Sequence, residues 1–458
     1  MNAREVRTAA DAKAIIEQRG LSHVKVGVFD ADGILRGKYM AVDKFMSALE
    51  GGFGFCDVVL GWDSNDQLYE NPGVEYTGWH TGYPDAPVVL DPSSCRELPL
   101  EGNMLLFLGQ FDQRAAEVCP RATLQRVLNK ADQMGYEVMA AFEYEFFLFD
   151  ETPDSIREKG YRDLQPLTPG FFGYSVIRNS VHADLHCQIL EMCETMDFAL
   201  EGLHTETGPG VLEAAIRVDK ASNAADKAAL FKTFIKVLAQ NNQLMATFMA
   251  KWSNDYPGQS GHIHISLKDK ASGANIFFDE GGQHGISELQ RQFIAGQQKL
   301  LPEFLAMVAP TINAYSRMIP GFWAPTHATW GIENRTNALR VIPGSAKTQR
   351  VEYRIAASDA NPYLALAAAV ASGLHGIEHK LQPDEPVHGN AYDREHAPEL
   401  ALPQTLDQAA WALRKSNAAR EAFGSAFVDH FATSREWEAR EFRKHITDWE
   451  LARYFEII

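Results

Sequence analysis

Four segments of the chain alternate between a bulky apolar side and a side of acidic, basic or imidazole groups. In GHIHISL, His262, His264 and Ser266 share one side, and Ile263, Ile265 and Leu267 share the other. FEYEFFLF puts Glu143 and Glu145 on one side, and RVEYRIA aligns Arg350, Glu352 and Arg354. ETGPGVLEAAIRV carries Glu206 before a Gly-Pro-Gly turn, with Glu213 and Arg217 after it. A period of two belongs to β-strands. The apolar sides require a real core behind these strands. The polar sides are not the Lys, Thr, Ser and Gln of an ordinary solvent face. Brought together, they enclose an acidic, histidine-containing cavity roofed by sheet. Carboxylates packed that closely are unfavourable unless cations sit between them.

The candidate ligands are Glu143, Glu145, Glu206, Glu213, Glu352 and His262. Oxygen donors dominate, which favours Mg²⁺ or Mn²⁺ over Zn²⁺. Five carboxylates exceed the needs of one ion, so the expectation is two or more. Between residues 317 and 354 the chain also concentrates Arg317, Arg335, Arg340, Lys347, Arg350 and Arg354 among Gly, Pro and strand signals. Hard cations beside arginines suit phosphoryl transfer from a nucleotide. A zinc hydrolase would also use an H-x-H strand, but near the start of a barrel and with further His and a late Asp. Here the H-x-H is central and its companions are Glu.

Length and charge bound the rest. With 458 residues, two or three domains fit. A net charge of -17 argues against nucleic acid or an anionic membrane as partner. No run of apolar residues is long enough to span a bilayer, and the N-terminus has no secretory pattern. Five cysteines without a C-x-x-C read as reduced thiols, so the expected location is cytoplasmic.

The first part of the chain reads as strands and turns. VKVGVFDADGILRGKYM is a hairpin turning at Asp30 to Gly33, CDVVLGWDSNDQLYENP a strand entering a polar loop, and PVVLDPSS and NMLLFLGQF two more strands. PRATLQRVLNKADQMG then reads as a helix with Pro120 near its start and Gly135 at its end. KAALFKTFIKVLAQNNQLMATF and NPYLALAAAVASGLHGIEHK read as helices too. The change of texture places a domain boundary at 115, giving units 1–115 and 116–458.

Together these segments resemble the glutamine synthetase family. FEYEF is similar to its E-x-E strand, HTETGPGVLE to its second glutamate pair, and GHIHISL to its H-x-H-x-S strand. NAYSRMIPG, NRTNALR, RVEYR and NPYLALAAA resemble its substrate, phosphate and closing motifs. The resemblance implies an α+β fold, with an N-terminal β-grasp domain and a catalytic domain of antiparallel sheet flanked by helices. It implies a homo-oligomer, a dodecamer of two hexameric rings, with active sites shared between subunits. By motif position, Glu145, Glu206 and Glu213 resemble the ligands of one metal, and Glu143, His262 and Glu352 those of another. His264 and Ser266 resemble nucleotide contacts, with Lys347 and Arg350 near the phosphates. Arg335 and Arg340 resemble phosphate-binding arginines, and Arg317 and Arg354 the holders of the glutamate carboxylate. Asp63 sits where the N-terminal domain offers a carboxylate to a neighbouring subunit's ammonium site.

Three positions depart from that family. The glutamate that closes over ammonium is Trp323, the glutamine of the Gly-Pro-Gly motif is Val211, and the asparagine of the glutamate loop is Pro257. An indole suits an alkyl or aryl amine better than bare ammonium. The pattern resembles the γ-glutamylamide synthetase branch. The expected function is ATP-dependent joining of the γ-carboxylate of glutamate to a small organic primary amine such as isopropylamine, through γ-glutamyl phosphate. The alternatives are ammonia as in glutamine synthetase, a polyamine, or a non-catalytic structural relative, which should have lost ligands that are all present here.

Overall fold

The computed structural model describes residues 1–70 and 76–458; the last two residues of the expected polar loop, Asn71 and Pro72, lie outside the described residues. The strand Tyr136–Phe149 is the spine of a nine-stranded sheet. On one side it pairs antiparallel with Gly261–Asp269, which continues to Arg350–Tyr353, Leu339–Ile342 and Trp330–Ile332. On the other it pairs with Val211–Ile216, followed by Leu200–Thr205. The register aligns His262 with Glu143, His264 with Glu352, Glu145 with Glu213, and His204 with Glu213. Because side chains alternate, this register sends the polar side of every strand to the same face.

The other face is core. Phe142, Tyr144, Phe146, Ile263, Ile265, Val351 and Tyr353 are buried there with residues of the helices Pro120–Gln133, Ala221–Asn241, Glu288–Val308 and Pro362–Glu378. The last two helices cross at backbone contact: a Cβ on Gly296 would lie 2.5 Å from the Gly376 nitrogen.

A second, five-stranded sheet runs in the order Leu35–Ala41, His23–Phe29, Leu105–Phe111, Asp85–Glu97, Phe53–Cys56. The fold is α+β, as expected. Strand 105–111 explains why NMLLFLGQF is apolar throughout: Leu105, Phe107 and Phe111 join the smaller core, while Leu106 and Leu108 join the larger one.

Three local expectations are corrected. CDVVL is not a strand; the strand ends at Cys56 and Asp57–Leu60 is a 3₁₀ turn. The expected long helix stops at Asn241, because Gln243 takes φ 58°, and Met245–Thr247 returns as a strand on 136–149. Arg217 falls just beyond strand 211–216 and is exposed, so it does not share the face of Glu213.

The hairpin turn at Asp30 to Gly33 docks on the helix that closes the chain's motif series. Asn361 caps helix 362–378 by accepting from Tyr363 N, and its Nδ2 donates to the carbonyls of Asp30 and Ala31. Gly33, at φ 77°, lies so close that a Cβ would meet Asn361 at 3.2 Å. Asn361→Ala should destabilise the protein by about 1–3 kcal/mol, since the cap is lost, the Ala31 carbonyl loses its side-chain donor, and the Asp30 carbonyl keeps only Gly33 N. Asn361→Asp keeps the cap acceptor but not the donor, so it should be destabilised as well. Urea midpoints of the two variants against wild type check this.

Candidate active site

The polar face of the large sheet floors a cavity of about 480 Å³. Its wall holds Glu143, Glu145, Glu206, Glu213, His262 and Glu352. It also holds His264, Arg350, Arg317, Arg354, Arg335, Arg340 and Trp323. The antiparallel register thus joins residues from strands up to two hundred positions apart, as the alternation predicts.

Glu145 and Glu213 face each other across neighbouring strands. Burial pushes the Glu145 carboxyl up to about 8, and the charge of Glu213 pushes it the same way. Hydrogen bonds from Ser260 N (2.6 Å) and Ser260 Oγ (2.9 Å) hold Glu145 Oε2 in place and oppose that shift. Glu206, half-buried at the Gly-Pro-Gly turn, accepts from Thr207 N. A buried carboxyl that resists ionisation, fixed by donors and facing a second carboxyl, has the chemistry of a hard-cation site.

The second cluster lies along the neighbouring strands. Ligand atoms of Glu143, His264 and Glu352 all fall within 4.8 Å of one another. His262 Nδ1 stands 3.4 Å from Glu143 and 3.3 Å from Glu352, so both imidazoles converge on the same carboxylates. They are not equivalent. Arg350 Nε, always a donor, reaches His264 Nδ1 at 3.1 Å, so the proton of His264 sits on Nε2 and points at Glu143, 3.3 Å away. His262 is 5% exposed, and burial and then Arg354 hold its pKa below the ordinary histidine value. It stays neutral, with a lone pair to offer.

Glu352 is 1% exposed and anchors the arginines. It accepts from Arg340 Nη1 at 2.9 Å and Arg354 Nη1 at 2.6 Å. Burial opposes its ionisation, but Arg354, His262 and His264 outweigh that and hold the carboxyl at about 2. Arg317 is 2% exposed and gives two N–H groups to the carbonyls of Ile355 and Arg354. Arg317 lines the cavity, and these two bonds engage two of its five N–H donors. Arg335 is exposed at the rim.

Residues 117–454 match the glutamine synthetase catalytic domain. The chain belongs to the glutamine synthetase family. It is 44% identical over 440 residues to "Type-1 glutamine synthetase 2" of Dictyostelium discoideum, covering 95% of this chain and 84% of that protein. It is 36% identical to "Glutamate--isopropylamine ligase" of Pseudomonas sp, covering 97% of each chain. The solved structure "GmaS/ADP complex-Conformation 1" superposes with a TM-score of 0.84 at 26% identity, covering 97% of this chain and 99% of that one. The protein is an ATP-dependent γ-glutamyl ligase of this family, whose members use divalent metal ions. Among the described residues no helix is long and apolar enough to cross a membrane.

Three of the expected site residues lie elsewhere in the single chain. Ser266 is half-buried further along strand 261–269, opposite Met139, and is not part of the cavity wall. Lys347 is on an exposed turn. Asp63 is 7% exposed; its Oδ1 accepts from Asn65 N and Gln67 N, and its Oδ2 from Trp437 Nε1 at 3.2 Å. Within one chain Asp63 shapes a turn instead of facing the cavity. Its place opposite a neighbouring subunit's amine site rests on the family resemblance.

The cavity also contains residues that the strand pattern missed. His204 Nε2 lies 3.3 Å from Glu213, and its ring stacks on Tyr174 at 4.4 Å. Folding HTETGPGVLE about its Gly-Pro-Gly turn would have placed His204 opposite Glu213, so that signal was present. Tyr174, in an irregular loop at φ 56°, left none.

Glu145→Gln keeps the acceptor for Ser260 and removes the carboxyl that must ionise beside Glu213. It should leave the metal-free protein at least as stable as wild type, while removing most of the rise in thermal midpoint that Mg²⁺ or Mn²⁺ gives wild type, and should abolish turnover. Differential scanning calorimetry with and without each ion checks the first two outcomes independently of activity.

Proposed function

We propose that this ligase joins the γ-carboxylate of glutamate to a small alkylamine such as isopropylamine, releasing ADP and phosphate. The observation that carries the reading is Trp323. It stands at the cavity wall beside Phe322, both exposed, on a backbone of φ 58° that an indole adopts only when held there. Ammonium needs carboxylates at close range, whereas an alkylamine gains from an apolar wall and a π face.

The residues divide the work. Glu145, Glu206 and Glu213 would hold one divalent ion, and Glu143, His262 and Glu352 the other; bound there, Mg²⁺ or Mn²⁺ neutralises charge developing on the transferred phosphoryl group. Arg335 and Arg340 lie on the same wall and add positive charge for that group. Arg317 and Arg354 offer the remaining donors to the glutamate α-carboxylate. His264, tied to Arg350, and beyond them Ser266 and Lys347, mark the nucleotide side. Attack of the γ-carboxylate on the γ-phosphate gives γ-glutamyl phosphate, and the amine then displaces phosphate. We read units 1–115 and 116–458 as the family's two domains. We read the working form as a dodecamer of two hexameric rings, in which Asp63 of one subunit takes the ammonium proton at the next.

A second reading, glutamine synthetase proper, is favoured by the 44% identity to a protein of that name. Trp323 supports the first reading and gives the test of both. One or two methyl groups against an indole contribute about 0.8 kcal/mol per carbon. A three-carbon amine that buries one or two methyls in this way should thus outcompete ammonium by roughly 4- to 15-fold. Trp323→Glu should erode that preference, raising kcat/KM for ammonium relative to isopropylamine. A wild type that prefers ammonium, or an unchanged ratio in the variant, would return the protein to the glutamine synthetases.

His262→Ala should be partly rescued by raising the metal concentration, and His264→Ala by raising ATP. Crossed titrations of both variants in a phosphate-release assay check the division of roles.

A further inference from the structure

Two loops that border the cavity from different parts of the chain meet at one lysine. The segment 253–258 brings Pro257 and Gly258 to the cavity wall, and the segment 318–323 brings Phe322 and Trp323. Lys251 is 5% exposed. Its Nζ donates to the Tyr256 carbonyl at 2.5 Å and stands 4.7 Å from the centroid of the Phe322 ring. One ammonium therefore holds the backbone of the first loop and an aromatic side chain of the second.

The lysine is itself fixed. Its N–H donates to Asn313 Oδ1, and its carbonyl accepts from Asn313 Nδ2, both at 2.6 Å. Asn313 lies on the short helix Ile312–Arg317, which ends at Arg317 and runs straight into the 318–323 loop. Gly258 closes the circuit, since a Cβ there would lie 2.6 Å from Arg317 Cγ. An ammonium with one carbonyl, one ring face and the charge of Asp255 in the first loop, but no hydrogen-bonded carboxylate among the described residues, is a modest way to satisfy a buried charge. It is a good way to make two loops share one position.

We infer that Lys251 is a positioning residue that couples the amine side of the cavity to the glutamate side. This rests on the reading of Trp323 and Arg317 given above. Glutamate bound between Arg317 and the 253–258 loop fixes the Tyr256 carbonyl. That fixes the Lys251 ammonium and, through Phe322, the loop that carries Trp323. Coupling of this kind is reciprocal in binding free energy, so the amine must tighten glutamate by the same factor that glutamate tightens the amine.

The test is equilibrium binding of glutamate by calorimetry, with ADP and Mg²⁺ present so that nothing turns over. It is run with and without a saturating amine, using whichever of ammonium, ethylamine and isopropylamine wild type turns over best. Saturating amine should tighten glutamate binding to wild type by about 5- to 20-fold. Lys251→Met, which keeps the stem and loses the charge, should bring that factor to within about twofold of one. Phe322→Ala, which cuts the relay without touching the lysine, should do the same. Lys251→Arg, which can still donate and stack, should keep most of the coupling. A merely structural lysine would give a Lys251→Met protein with a lower thermal midpoint and an unchanged coupling factor, and that result would overturn the inference. A wild-type factor of one would overturn it too. If Lys251→Met does not fold, Phe322→Ala and Lys251→Arg still decide. Wild type that releases no phosphate from ATP with glutamate and any of the three amines would remove the underlying reading, and this inference with it. Turnover with unaltered coupling in the variants would remove the inference alone.

Discussion

Like charges crowded on one face of a sheet are the constraint on which this structure depends. Glu143, Glu145, Glu213 and Glu352 stand on one face of the same sheet, half-buried or buried, and cannot all ionise without compensation. The protein supplies compensation unevenly. Glu352 is flanked by Arg340 and Arg354 and is held ionised, whereas Glu145 has Ser260 and the distant charge of Arg317 against the pressure of Glu213. The under-compensated carboxyls are where an external cation would gain most, which is the physical ground for the metal site we propose.

That imbalance is tolerable only because the opposite face is so well anchored. Strand 136–149 buries Phe142, Tyr144 and Phe146 beneath its acidic side, and helices 288–308 and 362–378 pack backbone to backbone behind it. The apolar core fixes the strands to within the tolerance that metal coordination demands. Among the arginines, the same logic sorts roles. Arg340 and Arg354 are bound to carboxylates and buried, while Arg335 remains exposed at the rim, where a mobile phosphate could be met.

Specificity is built differently from catalysis. The charged floor comes from strands, but the wall we propose for the amine comes from the 318–323 loop, whose Trp323 adopts a backbone conformation costly for a bulky residue. Loops can vary without disturbing the sheet, and a family that keeps its floor while changing this loop can change its amine. Tyr174 borders the same cavity from another irregular segment, with its ring stacked on His204 of strand 200–205, so loop side chains and sheet side chains meet at the cavity wall.

The sequence by itself determined the strands that carry the site, the face taken by the residues within them though not by Arg217 beyond strand 211–216, the identity of the carboxylates and imidazoles, and the hairpin at Asp30 to Gly33. Those follow from a period of two and from turn chemistry, which are local. Family motifs added the assignment of arginines scattered over 317–354. Tertiary structure alone decided which of His262 and His264 keeps a free lone pair, because that turns on an Arg350 contact made across strands. It also set Tyr174 at the cavity, put Lys251 between two loops, ended the long helix at Asn241, and turned Asp63 inward to Trp437. Those outcomes depend on contacts between residues far apart in the chain, and no periodicity along the chain encodes which distant partner a side chain will meet.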